Sequence, residues 1–217
     1  MHYTKLIQAH RAFYEGEYGA KNYDRYMREQ KNWRNWQNPI VPIDEVEKLF
    51  RFIRSWDRFF RGDAVMFQGI YEEIYPILAF MKNENIVNAD FRSDELKIKI
   101  ESIFNKVANC TKIERYESTD ASKIIHTILP NFFVMWDDEI KKWTVDGKND
   151  GHAYAYEFLP LMQRELVEAI ETCMMERKLQ RVDAAKQISY ECGYQTLAKL
   201  ADEYNYVRYT LKDRSLW

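Results

Sequence analysis

Apolar residues recur at three- and four-residue steps along most of this chain, which is the spacing of one face of an α-helix. The clearest run lies in residues 44–60, and a second run begins after Ser93 and extends to about residue 107. Stretches that alternate apolar and polar residues are short and scattered. The pattern therefore predicts an all-α fold whose core includes Val46, Leu49, Ile53, Trp56, Phe60, Phe91, Leu96, Ile100, Ile103 and Val107.

Capping residues and prolines divide this pattern into separate helices. Asp44 is the expected N-cap of the 44–60 helix, and Asp63 is the expected N-cap of a helix over 64–82. Pro76 predicts a kink or a break in the latter. Further helices are predicted over 2–15 and 21–37 (separated at Gly16 and Gly19), 121–129 (after Thr119-Asp120), 152–179, 183–190 and 196–206.

The composition supports a helical globule. The 217 residues include 7 glycines and 5 prolines, about half the usual share, which is too few for the many turns of a β-sandwich or barrel. A hydrophobic fraction of 46% argues against a disordered chain. We therefore predict one compact multi-helix domain over residues 1–217, with two helical lobes over 1–85 and 86–217 as the alternative.

Charge and cysteine content indicate the setting. Lys and Arg number 32 against 34 Asp and Glu, a net charge of −2, so no overall attraction to nucleic acid or to an acidic membrane follows. The N-terminal residues lack the apolar run of a signal peptide, and no stretch approaches 18 apolar residues. Three cysteines without C-x-x-C spacing favour buried, reduced thiols. These features predict a cytoplasmic protein with no membrane partner.

A row of arginines forms the first candidate site. Arg51, Arg54, Arg58 and Arg61 fall on one side of the predicted 44–60 helix, nearly opposite its apolar face. Arginine forks suit phosphate, so this row is a candidate contact for a nucleic-acid backbone. The alternative is that the row is a solvated helix face stabilised by i,i+4 ion pairs. Rows of charge on amphipathic helices usually have this role.

Two further motifs have stronger structural than functional interpretations. Residues 146–157 place Asp146, Asp150, Gly151 and Glu157 at calcium-loop positions, but Lys148 occupies a ligand position, so we interpret the segment as a polar turn. Residues 186–206 have the spacing of a helix-turn-helix, yet the second helix carries Asp202 and Glu203, which a groove-reading helix would avoid. We predict no metal and no cofactor.

The most specific pattern lies in residues 118–140. Lys123 lies near the start of a helix that is otherwise mostly apolar, and Pro130 and an apolar run then lead to the carboxylates Asp137 and Asp138. Lys123 and His126 are three residues apart and so share a helix face. Burial beside isoleucines lowers the pKa of a lysine, whereas a nearby carboxylate raises it. An amine between these influences can act as a nucleophile.

This segment resembles the catalytic stretch of the helix-hairpin-helix DNA glycosylases. The resemblance implies an all-α fold in which Lys123 is the Schiff-base nucleophile at the sugar C1′ and Asp137 stabilises positive charge on the sugar. It also implies a DNA or modified-nucleotide substrate whose damaged base enters an aromatic pocket. The glycines of the family's hairpin are replaced here by Glu117-Ser118-Thr119-Asp120, and the match covers about a tenth of the chain.

The sequence thus supports two functional hypotheses. The first is a glycosylase-like enzyme in which Lys123, His126 and Asp137 meet in one aromatic-lined pocket. The second is a non-enzymatic helical protein that binds a partner or nucleic acid through its arginines, with Lys123 exposed or paired, Asp137 acting as a helix cap, and no cavity beside them. The two differ in whether Lys123 and Asp137 share a cleft.

Overall fold

A computed structural model describes residues 1–16, 20–30, 36–111 and 115–216. These residues are predominantly helical and contain no β-strand, only an isolated antiparallel bridge between Gly62 and Thr111. Gly19, and residues 31–35 of the predicted 21–37 helix, lie outside the described ranges. The helices are α1 (Tyr3–Glu15), α2 (Ala20–Gln30), α3 (Ile43–Trp56), α4 (Ala64–Met81), α5 (Asp94–Ala108), α6 (Ser118–Ile128), α7 (Asp138–Thr144), α8 (Gly151–Ala153), α9 (Leu159–Arg177), α10 (Arg181–Glu191) and α11 (Leu197–Asn205).

Short helical turns of other pitch join some of these helices. A 3₁₀ turn covers Ile86–Asn88 and another covers Arg214–Leu216. Two π-helical turns, Tyr154–Phe158 and Tyr206–Thr210, continue α8 and α11 without a break. Insertions of this kind are frequent at functional sites because they redirect the side chains that follow a regular helix.

Local capping explains several helix starts. Asp63 accepts hydrogen bonds from the backbone N–H groups of Val65 and Met66 at the start of α4. Ser93 accepts one from Leu96 at the start of α5. Both caps confirm the sequence prediction, since a polar side chain satisfies donors that the helix leaves unpaired.

Three predicted boundaries are wrong. Helix α3 begins after Pro42, whose fixed φ suits a helix start, so Asp44 lies in the first turn. Helix α6 begins at Ser118, which places Thr119 and Asp120 inside it. Helix α3 also ends at Trp56, four residues earlier than predicted, because Asp57 adopts an extended conformation.

Helix α4 runs through Pro76 without a break. Its buried residues lie on both sides of the proline, so packing against the core holds the two halves in one helix (Phe67, Tyr71, Ile74, Leu78 and Met81). Of the kink or break predicted at Pro76, the break is therefore absent, because tertiary packing overrides a local preference.

One cluster of buried apolar residues extends from Tyr3 to Leu216 and draws on both halves of the chain. Its aromatic centre stacks Phe104 on Tyr154 at 4.4 Å between ring centroids, with Trp136 edge-on to Tyr154 at 4.9 Å. All three cysteines are buried and unpaired. None of the described helices combines the length and the apolar character needed to cross a membrane.

Helix α11 lies inside this assembly, against α1, α9 and α10. Every residue from Ala198 to Asn205 is buried. The helix-turn-helix interpretation of residues 186–206 is therefore wrong, because a helix that reads a DNA groove must be exposed.

Candidate functional site

A cavity of about 980 Å³ opens where α1, α3, α6, α7 and α11 meet. The described part of its wall carries seven carboxylates and four cations, together with the rings of Phe13, Trp56, Tyr116, Trp136 and Tyr206. The carboxylates are Asp57, Glu117, Asp120, Asp137, Asp138, Glu139 and Asp202, and the cations are Arg115, Lys123, Lys141 and Lys199. A concave site of this volume is the usual form of a binding or catalytic pocket, although such pockets are mostly apolar and this wall is unusually rich in charge.

The first turns of α6 supply a buried ion pair to this cavity. Lys123 Nζ lies 3.1 Å from Asp120 Oδ1, and both side chains are largely buried. Burial raises the pKa of Asp120 to about 6; Lys123 lowers it in part, and the charges of Asp57 and Glu117 add to the rise. A carboxyl that titrates near neutral pH in a cleft is suited to proton transfer.

Asp137 is fixed at the opposite end of the segment that follows α6. Its Oδ1 accepts a 2.8 Å hydrogen bond from the backbone N–H of Ile140, so it caps α7. Its Oδ2 accepts a 2.6 Å hydrogen bond from Thr210 Oγ1, which belongs to the π-helical turn after α11. Lys123 and Asp137, two of the residues singled out from the sequence, thus line one cavity.

The chain between these two residues is held by side chains of α6. Ser122 Oγ accepts a hydrogen bond from the backbone N–H of Trp136 at 3.1 Å, and Trp136 Nε1 donates to the carbonyl of Ser118 at 3.1 Å. Ser118 and Ser122 are four residues apart and therefore share a helix face. This face fixes the backbone that leads directly into Asp137.

His126 belongs to the same face and does not line the cavity. Its Nδ1 donates to the carbonyl of Phe133 at 2.6 Å, so Nε2 is the acceptor of a 2.9 Å hydrogen bond from Tyr23 Oη. Complete burial lowers the pKa of His126 to about 3, which keeps the ring neutral. The prediction that His126 meets Lys123 and Asp137 in the pocket is wrong, because both ring nitrogens serve packing contacts.

Helix α11 contributes charged residues that the sequence interpretation missed. Lys199 Nζ lies 2.7 Å from Asp202 Oδ2 and 3.3 Å from Glu203 Oε1. Its ammonium also lies over the rings of Phe13 and Tyr23, at 4.4 and 5.0 Å from their centroids. The i, i+3 and i+4 spacing of these charges was visible in the sequence, but only the packing shows that the helix is buried.

Lys141 occupies the far side of the cavity, beside the first turn of α6. Its ammonium donates to Ser118 Oγ and to Asn149 Oδ1, each at 2.9 Å, and to Thr119 Oγ1 at 3.2 Å. Asp138 pairs with it at 2.7 Å. The first turn of α6 is therefore held by a lysine from α7.

The predicted arginine row does not lie on one helix face. Only Arg51 and Arg54 belong to α3, whereas Arg58 and Arg61 lie in the turn that follows its end at Trp56. All four side chains are exposed and none lines the cavity. Their contacts are local: Arg51 with Glu47, Arg54 with the carbonyl of Gly62, Arg58 over the ring of Phe59, and Arg61 with the carbonyl of Arg58.

The loop over residues 146–157 is organised by its own side chains. Lys148 Nζ donates to both carboxylate oxygens of Glu157, at 2.7 and 2.8 Å. Asp150 caps α8 by accepting from the N–H of Ala153. Across the described ranges, no group of three or more His, Cys, Asp or Glu side chains has the arrangement of a metal site.

Comparison of the chain with protein-family models, with curated proteins and with solved structures gives no match.

Proposed function

We propose that this protein cleaves the N-glycosidic bond of a modified nucleotide base, with Lys123 as the nucleophile and Asp137 as the carboxylate that stabilises the reacting sugar. One observation carries the proposal: Lys123 and Asp137, 14 residues apart in sequence, line the same cavity of about 980 Å³. A non-enzymatic role for this segment predicts no such cleft.

The charge and aromatic content of the cavity suit this reaction. Cleavage of a glycosidic bond develops positive charge on the sugar, which nearby carboxylates stabilise. The rings of Trp56 and Tyr206 line the cavity and are partly exposed, so they offer surfaces on which a base can stack.

Asp120 provides a route to the reactive form of Lys123. The ammonium of Lys123 transfers a proton to the Asp120 carboxylate, which produces a neutral amine and a carboxylic acid side by side. The amine then attacks C1′ as the bond to the base breaks and its electron pair leaves with the base. The adduct loses an amine proton, and the sugar ring opens as its oxygen takes a proton, which leaves the C1′–lysine iminium that borohydride reduces. The raised pKa of Asp120 makes this proton transfer easier than it would be to an exposed aspartate.

The arginines at the end of α3 support a substrate joined to a nucleic-acid backbone. They lie next to Ser55, Trp56 and Asp57 in sequence, and these three residues form part of the cavity wall. The charge of Arg61 acts on the Glu117 carboxyl of that wall, where it opposes the rise in pKa that burial causes. Phosphates held by this turn would leave a base within reach of the cavity.

The test measures base release from oligonucleotides containing uracil, hypoxanthine or an alkylated purine, and from the corresponding free nucleosides. Borohydride is added in parallel to trap a covalent adduct. We expect base release and an adduct from the wild type, and neither from Lys123→Ala. Lys142→Ala is the matched control, since Lys142 is exposed on α7. Absence of both signals from the wild type with every substrate would overturn the proposal.

The alternative, a helical binding protein acting through its arginines, is favoured by the exposure of Arg51, Arg54, Arg58 and Arg61. It predicts oligonucleotide binding that Lys123→Ala leaves unchanged and that produces no free base. The base-release assay, combined with a binding titration, therefore separates the two functions.

A further inference from the structure

In α11 one buried lysine faces two carboxylates, whereas in α6 Lys123 pairs with the single carboxylate of Asp120. Lys199 is fully buried and faces two carboxylates on its own helix, Asp202 and Glu203. Glu203 is also fully buried, and its Oε2 lies 2.7 Å from His10 Nδ1 of α1. One carboxylate is enough to neutralise the lysine, so the second can carry a proton without leaving a buried charge unpaired.

Asp202 is the member of this pair that reaches the cavity. It lines the cavity wall whereas Glu203 does not, and its side chain retains 11% exposure against 0% for Glu203. Lys199 donates a 2.7 Å hydrogen bond to Oδ2 of Asp202. Burial raises the pKa of Asp202 to about 6; Lys199 opposes this rise, and the charges of Glu203 and Asp137 add to it.

Asp137 and Asp202 therefore form a pair of carboxyl groups in one cavity with different surroundings. Asp137 accepts two hydrogen bonds, from the Ile140 N–H and the Thr210 hydroxyl, which fix both of its carboxylate oxygens. Asp202 is desolvated and close enough to Asp137 to sense its charge. Two carboxyls whose environments differ in this way divide the roles of acid and base in many glycoside-cleaving sites.

We propose that Asp202 is the general acid of the reaction and donates its proton to the departing base. This inference rests on the proposed function. As the C1′–N bond breaks, its electron pair passes to the base nitrogen and the Asp202 proton moves to the base. The resulting Asp202 carboxylate is stabilised by the ammonium of Lys199, already 2.7 Å away. The water that later releases the sugar from Lys123 returns the proton.

The test compares two substrates that share a sugar and differ in the leaving base. Hypoxanthine needs a proton to leave, whereas 7-methylguanine carries a positive charge in the nucleoside and leaves neutral without one. General acid catalysis contributes roughly 10²–10⁴-fold. We therefore expect Asp202→Asn to lower hypoxanthine release at least ~100-fold and 7-methylguanine release only slightly.

The ratio of the two rates is measured on one preparation, so partial misfolding of the variant does not alter it. Asp202→Glu, which keeps the acid, is the second variant and should restore part of the ratio. Equal losses for both bases in Asp202→Asn would overturn the role of Asp202 while leaving the proposed function standing. A wild type that releases no base from any of the substrates of the proposed-function test would overturn the proposed function, and with it this inference.

Discussion

The hydroxyl of Thr210 donates a 2.6 Å hydrogen bond to Asp137 Oδ2, joining two residues 73 positions apart. Thr210 ends the π-helical turn that continues α11, and Asp137 is the N-cap of α7. The bond connects the two walls of the cavity that carry the Asp137 and Asp202 carboxyls. It fixes the carboxylate that the proposed reaction needs at the sugar.

Thr210→Val should weaken both the site and the fold. A hydrogen bond to a charged group contributes about 1.5–3 kcal/mol, and its loss leaves Asp137 held by the Ile140 N–H alone at α7. We expect a lower free energy of unfolding in urea by about that amount, and a base-release rate reduced roughly tenfold, as 1.4 kcal/mol of lost positioning implies. Thr144→Val is the control, because the Thr144 hydroxyl bonds the Ile140 carbonyl in its own helix. Equal rates in the two variants would contradict a positioning role for Thr210.

His126 should make the protein less stable in acid. Its pKa is lowered from 6.5 to about 3 in the folded chain, so the unfolded chain binds a proton between these values and the folded chain does not. The contribution of the neutral, buried His126 ring to the free energy of unfolding is complete above pH 6.5. It is lost as the pH falls towards 3, by about 1.4 kcal/mol per pH unit. Urea titrations at several pH values should show a shallower acid slope for His126→Gln. His152→Gln, at an exposed histidine, should keep the wild-type slope, and an unchanged slope in His126→Gln would count against the buried neutral ring.

Asp120 should have the opposite pH dependence. Its pKa is raised to about 6 from 3.8, so the folded chain binds a proton that the unfolded chain has released in this window. The contribution of protonated Asp120 to the free energy of unfolding is complete below pH 3.8 and is lost as the pH rises through 6. The stability of Asp120→Asn relative to wild type should therefore increase between pH 4 and 7. A difference that stays constant across this range would contradict a raised pKa.

The exposed arginines should determine any salt-dependent binding of nucleic acid. Arg51→Gln and Arg58→Gln should each weaken binding of a duplex oligonucleotide and reduce the slope of log K against log salt by about 0.9. Lys82→Gln is the matched control, since Lys82 is exposed on α4's C-terminal side, distant in sequence from the arginines. Slopes that do not change in the arginine variants would exclude these side chains as phosphate contacts.

Local features of the fold followed from the sequence. Asp63 and Ser93 cap the helices predicted to follow them, because a cap depends only on residues within one turn. The apolar spacing also identified core positions such as Leu49, Ile53 and Ile100, all fully buried. The segment from Lys123 to Asp137 was singled out for its order of residues, and both side chains line one cavity.

The tertiary structure decided the electrostatics of the site and the exposure of its helices. Lys123 pairs with Asp120 and Lys199 with Asp202 at i,i+3 spacing on one helix, but only the packing of α6 and α11 among other helices buries these pairs, which no local pattern encodes. His126 became a packing residue for the same reason. Charge, pKa and access depend on neighbours distant in the chain, whereas caps and helix faces depend on neighbours a turn away. The sequence by itself therefore determined the helical class and several helix starts, whereas only packing determined the remaining boundaries and which charged residues face the cavity.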